Sequence, residues 1–282
     1  MTAATPPAVP GAAERSWEYR CRSVAGMSFF KNMMASIGIG SAKVDTVLEV
    51  SYSGIRPGDE INGRVIVTGG AVPQQINGIE LLLMTSFIKE VNDQKVRENA
   101  AIARLPLRTA FEVKAGGKEE IPFRWQLPVT APITAGGTQI WLKTALDIAS
   151  SLDASDEDYI KVLPHPLVGE VLEALSSLGF HTREVECKYA PHSRYGTSLL
   201  QEFELVPGRA SGFGKLDELE IVFIPSAAYV DVLMEVDRRS GGFAEWLGTD
   251  ESRISFRLYE ADIQRGRTAL AENLSSRIRS CM

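Results

Sequence analysis

The chain has 282 residues, with 30 Lys and Arg against 36 Asp and Glu, for a formal net charge of −6. That length allows two domains with real cores, and the acidic balance excludes a dedicated nucleic-acid binder, which needs surplus cations to displace counterions from phosphate. No apolar run approaches the roughly 20 residues needed to span a bilayer, and 3 His and 3 Cys leave a thin catalytic and metal-binding repertoire.

Residues 1–26 hold small residues and prolines without an apolar core segment. They read as a disordered extension rather than a signal peptide, with Met27 as an alternative start. From there MSFFKNMMASIGIG places Phe29, Phe30, Met33, Met34 and Ile37 at helical spacing, and Gly38 and Gly40 stop the pattern. This helix, 27–39, carries one charge, Lys31. Its apolar face can pack on its own domain, enter a partner groove, or lie at a membrane surface.

The long middle reads as strand after strand: 44–51, 60–68, 76–91, 95–107, 108–115, 119–126 and 138–148. Ile61, Val65 and Val67 alternate with polar or small residues, as in a half-buried antiparallel strand. Turn signals between short strands predict a β-sandwich over 27–152. Strand 138–148 is the expected free edge, with Trp141, Lys143 and Asp147 on one face and Ile140, Leu142, Thr144 and Leu146 on the other. Lys143 and Asp147 would discourage indiscriminate pairing there.

The acidic stretch 153–160 is predicted as a solvated linker. Asp153, Asp156, Glu157 and Asp158 offer oxygen donors, but without the alternating spacing and distal Glu of a calcium loop. A second β-rich domain with flanking helices is expected over 161–282. Its first helix, in 164–180, has Pro166 in the first turn, Gly179 at the stop, and a stripe of Leu167, Val168, Val171, Leu172, Leu175 and Leu178. Strands follow at 180–189, 198–206, 218–225, 228–237 and 253–260. A terminal helix, 267–279, lines up Leu270, Leu274 and Ile278, with Arg277 and Arg279 complementing its negative end.

Cys21, Cys187 and Cys281 form no CxxC pair, which fits free thiols in a reducing, cytoplasmic setting. His181, Cys187 and His192 are the tightest polar constellation; His181 and Cys187 share strand parity, hence one face, but the spacing matches no common zinc pattern. GIGSAK (38–43) lacks the ending of a phosphate loop, and no nucleophile, zinc-protease or dinucleotide motif occurs. No enzyme, cofactor or metal is expected.

MSFFKNMMASIGIGSAKVDTVLE, PGDEINGRVIVTGG, LKTALDIASSLDASDEDYIKVLPHPL, LDELEIVFIP and VLMEVDRRSGG resemble the sporulation-control protein M (SpoOM) family over about 27–282. The family is similar to arrestins, which implies a mainly β protein of two tandem β-sandwiches without a catalytic centre. Two local features agree: the Pro57-Gly58-Asp59 turn ahead of Gly63, and the strand end Pro122-Phe123 through Leu127-Pro128. The resemblance implies a regulatory role in sporulation, with links to cytoskeletal or division proteins and to stress adaptation. The expected function is a scaffold or adaptor binding other proteins, and the rival is a peripheral membrane protein anchored by 27–39. Candidate protein-binding residues are Phe29, Phe30, Met33, Trp141, Lys143, Leu270, Leu274 and Ile278. A homodimer would bury Phe29, Phe30, Leu270, Leu274 and Ile278 between two copies.

Overall fold

Alternating apolar side chains put strands almost everywhere the sequence predicts them. The computed structural model describes residues 41–92, 94–149, 153–191, 193, 195, 197–237 and 253–282. Helix 27–39 with Phe29, Phe30 and Met33, the extension 1–26, and His192 lie outside the described residues. The first lobe holds β1 (Lys43–Glu49), β2 (Glu60–Thr68), β3 (Gln74–Val91), β4 (Gln94–Val113), β5 (Lys118–Gln126), β6 (Ile140–Ile148) and β7 (Ala154–Tyr159). The second holds α1 (Pro166–Ser177), β8 (Phe180–Tyr189), β9 (Leu199–Pro207), β10 (Glu218–Pro225), β11 (Tyr229–Asp237), β12 (Arg253–Tyr259), α2 (Glu260–Ile263) and α3 (Arg267–Ser280).

Strands β1, β2 and β5 form a three-stranded sheet, and β12-β11-β10-β9-β8-β3-β6-β7, with β4 beside β3, form a nine-stranded one. Ile61, Val65 and Val67 on β2 meet Leu81 and Leu83 on β3 and Leu142 and Leu146 on β6 in one core. Gly63 is required between its two strand neighbours: a Cβ there would lie 2.7 Å from the Val47 carbonyl of β1 and 2.8 Å from the Phe123 ring of β5. The two arrestin-like features also meet. The Gly58 amide donates to the Leu127 carbonyl (2.9 Å), and the Leu127 amide to the Asp59 carbonyl (2.8 Å).

Three expectations about the first lobe are corrected. The predicted strands 95–107 and 108–115 are one strand, β4. It pairs only with β3 among the described strands, so Pro106 needs no second donor, and the register shifts beside its partner Glu80. The acidic linker is a strand instead: β7 pairs with β6, and its residues alternate between half-buried and exposed. Two carboxylates of the acidic stretch are engaged, Asp153 just before β7 accepting from the Ile148 amide (3.1 Å) and Asp156 within it from the Thr46 amide (2.7 Å). Strand β6 is consequently no edge, because β3 flanks it on one side and β7 on the other.

In the second lobe, the layer over sheet β8–β12 comes from α1 and α3, whose apolar stripes join the same core. Helix α1 starts as predicted: Pro166 sits in the first turn, and His165 Nδ1 accepts from the Leu167 amide (3.2 Å). Burial, with Arg56 nearby, lowers the His165 pKa and keeps that nitrogen an acceptor. Gly179, at φ +89°, ends the helix in a conformation that favours glycine. On α3, Leu270, Leu274 and Ile278 are buried against α1 and the sheet, at 5%, 0% and 0% exposure. Expected at a subunit interface, they are consumed by their own lobe, since the α1 stripe faces them and Arg267 pairs with Glu170 and Glu173 (3.2 and 3.1 Å).

Two substitutions test this packing. Leu274→Ala is expected to cost about 2–5 kcal/mol in urea unfolding, as a buried Leu cavity does. Gly63→Ala should destabilise by about 1–3 kcal/mol through overpacking between Val47 and Phe123. Changes below about 0.5 kcal/mol in both, within the range of neutral surface substitutions, would place the core elsewhere.

Candidate interaction surface at the lobe seam

The lobes meet where β3 outruns β6. Its end pairs in parallel with β8 at Ile88 and Lys188, so both lobes share one sheet. Arg97, opposite Ile88 on β4, reaches across this junction. Its guanidinium donates to Ser86 Oγ (3.3 Å), the Gly137 carbonyl (3.1 Å) and Glu186 Oε1 (3.2 Å). The Gly137 amide donates to the Val185 carbonyl (3.2 Å), and Gly136, at φ +54°, leaves no room for a Cβ against Val185. Gln201 then imitates a strand neighbour. Its Oε1 accepts from the Ile133 amide and its Nε2 donates to the Ile133 carbonyl, both at 2.8 Å. Arg56 Nη1 adds a 2.5 Å bond to the Pro164 carbonyl, and Ile55 bridges Val162. The seam is main-chain and polar, so it fixes an orientation rather than a sliding contact.

Beside the seam, the outer face of β8–β11 carries carboxylates where a solvent face would be expected. Glu186 pairs in register with Glu202, and Glu204, Glu220 and Glu235 line up across β9, β10 and β11. Glu186, Glu202 and Glu220 are buried, at 8%, 3% and 7% exposure. Lys188 binds Glu202 at 2.7 Å, and Arg183 pairs with Glu204 and Glu218. Burial raises the Glu202 pKa despite Lys188. Burial lowers that of Lys188, but the Glu202 charge and hydrogen bond more than offset it. Glu220 is pushed up to about 7 by burial and by neighbouring Glu202, with Lys188 opposing. A small apolar cluster of Leu200, Val222 and Leu233 sits on the same face.

The sequence-predicted residues fall elsewhere. Trp141 is 4% exposed and stacks on Tyr159 (5.6 Å, 28°), while Lys143 pairs with Glu157 (3.8 Å) on β7. Asp147 accepts from Asn77 Nδ2 (2.9 Å), so the charges expected to guard an edge bind neighbouring strands. His181 and Cys187 do not share a face. A register shift between Thr182 and Glu184 reverses the alternation, leaving His181 exposed and Cys187 at 2% exposure beside Thr85. Burial pushes the Cys187 thiol up to about 11, which leaves it unreactive as a nucleophile. Among the described residues no group of three or more His, Cys, Asp or Glu could hold a metal ion, and no helix is long and apolar enough to cross a membrane. Sequence reasoning missed Arg97, Glu186, Gln201, Glu202 and Glu220. The available signal was Glu at matching parity on three successive strands.

Removing the clasp should be costly. Arg97→Met is expected to lose about 1–3 kcal/mol, because Glu186 stays buried with its charge unpaired. Urea unfolding checks it, and adding Glu186→Gln should recover part of the loss. Amide exchange should rise first at Gly137, whose bond crosses the seam.

Comparison with known proteins bears on the whole arrangement. A family model described as SpoOM protein matches residues 30–240. The sporulation-control protein spo0M of Bacillus subtilis is 40% identical over 223 residues, covering 78% of this chain and 85% of that protein. The crystal structure of Spo0M from B. subtilis superposes with a TM-score of 0.80 at 34% identity, covering 86% of this chain and all of that one. The mainly β, arrestin-like fold expected from the motifs is the fold found. With the matched model spanning most of the chain and a relative this similar, the chain belongs to the SpoOM family.

Proposed function

We propose that the chain is a regulator of sporulation control that works as a non-enzymatic adaptor, binding other proteins in the cytoplasm. The observation that carries the regulatory part is its 40% identity to the B. subtilis sporulation-control protein. The adaptor part rests on geometry. In the first lobe, the outer side of β1 is occupied by Asp156 from β7, and β5 is tied to β4 by Arg108 and Glu119 (3.2 Å). Strand β12 pairs only with β11 among the described strands. An extended partner segment added there gains main-chain hydrogen bonds without any catalytic group. Arg257 stiffens this margin, donating to both carboxylate oxygens of Asp231 (2.8 and 3.0 Å) with its guanidinium 3.6 Å from the Tyr229 ring centroid.

Expression of the chain in B. subtilis lacking its own relative should restore the normal sporulation frequency. Failure at matched protein levels would overturn the regulatory reading. A photocrosslinker at Ser255 should capture a partner in the complemented cells, and one at Glu112 on the first lobe should not. Complementation without any adduct at Ser255 would remove β12 as the docking edge.

A further inference from the structure

The outer face of the second lobe sets like charges directly opposite one another, an arrangement that normally destabilises a sheet. In register, Glu204 faces Glu220 and Glu220 faces Glu235, with Glu202 diagonal to Glu220 on β9. Lys188 serves Glu202 and Arg183 serves Glu204. Glu220 differs. It is 7% exposed and has no ion pair among the described residues, and its buried Oε2, like Oε2 of Glu186 and Glu202, finds no hydrogen-bond partner there. A carboxylate in that position, ionised between like charges, would pay desolvation and repulsion with only the more distant Lys188 charge opposing them. A protonated one is neutral and can donate to a neighbouring carboxylate.

We propose that Glu220 holds a single proton on behalf of the row Glu204–Glu220–Glu235, and that releasing it loosens the β9–β11 face carrying Leu200, Val222 and Leu233. The groups facing Glu220 set the balance. From β8 these are Glu186 and Lys188, from β9 Glu202 and Glu204, from β11 Glu235, and along its own strand Glu218. Lys95 acts on Glu202 from β4, and Arg97 is committed to Glu186 across the seam. Among the described residues Arg183 pairs with Glu204 and Lys188 with Glu202, and no ion pair reaches Glu220. The upward displacement of the Glu220 pKa to about 7, from an ordinary value of 4.5, agrees with this geometry.

The sign follows from linkage. The folded form keeps the proton over the interval in which the unfolded chain has already lost it, so stability falls as pH rises from about 4.5 to about 7 and then levels. The register of Glu204, Glu220 and Glu235 places this response in the second-lobe sheet. Nothing in it depends on the proposed adaptor role.

The test is urea unfolding of the full chain between pH 5 and 8, wild type against Glu220→Gln, which keeps the shape and removes the charge. The ratio of unfolding constants, wild type over variant, should grow about a hundredfold between pH 5 and 7.5 and then stay flat. A ratio constant within about threefold, as for independent sites, would overturn the proposal. Should the variant fail to fold, carboxyl-carbon resonances of wild type decide: one Glu titrating near pH 7 supports the proposal, and none titrating above pH ~5 ends it.

Discussion

The structure depends on the length of β3. A strand of 18 residues is longer than its first-lobe neighbour β6 requires, and the surplus reaches β8 at Ile88 and Lys188. Unpaired main-chain groups in a buried setting cost free energy, so an overhanging strand needs a partner. The second lobe supplies it. Everything at the seam is arranged around that junction, from the Arg97 guanidinium to the Gln201 amide.

The seam also accounts for carboxylates buried on the outer face of the second-lobe sheet. Arg97 and Glu186 are held together at the point where two sheets become one, and the carboxylates of β9 and β10 continue the same face. Buried charges are poor sources of stability, but they penalise misdocked arrangements in which a partner is missing. The apolar core does the opposite, because it favours burial without specifying angle. One orientation of the lobes therefore comes from polar geometry laid over a nonspecific apolar drive.

Much of the fold was legible in the residues. Period-two alternation located β2, β6, β8, β9, β10 and β11 within a residue or two, and Pro166 with Gly179 bracketed α1. The readings that failed share a cause. Charge in 153–160 suggested solvent, yet Asp156 of β7 accepts from the Thr46 amide and Glu157 pairs with Lys143. Leu270, Leu274 and Ile278 looked available for a second copy because their covering helix, α1, lies about a hundred residues earlier. His181 and Cys187 were placed on one face by counting, and a single register shift separated them.

The sequence by itself determined the family, most of the strand and helix order, and the apolar face of regular strands such as β2, because these depend on side chains a few residues apart. Only the tertiary structure decided which strands are edges, which carboxylates are buried, and that both lobes share one sheet. Edge status and burial are properties of neighbours, and the neighbours of β6, Glu220 and Arg97 are brought together only when the chain closes on itself.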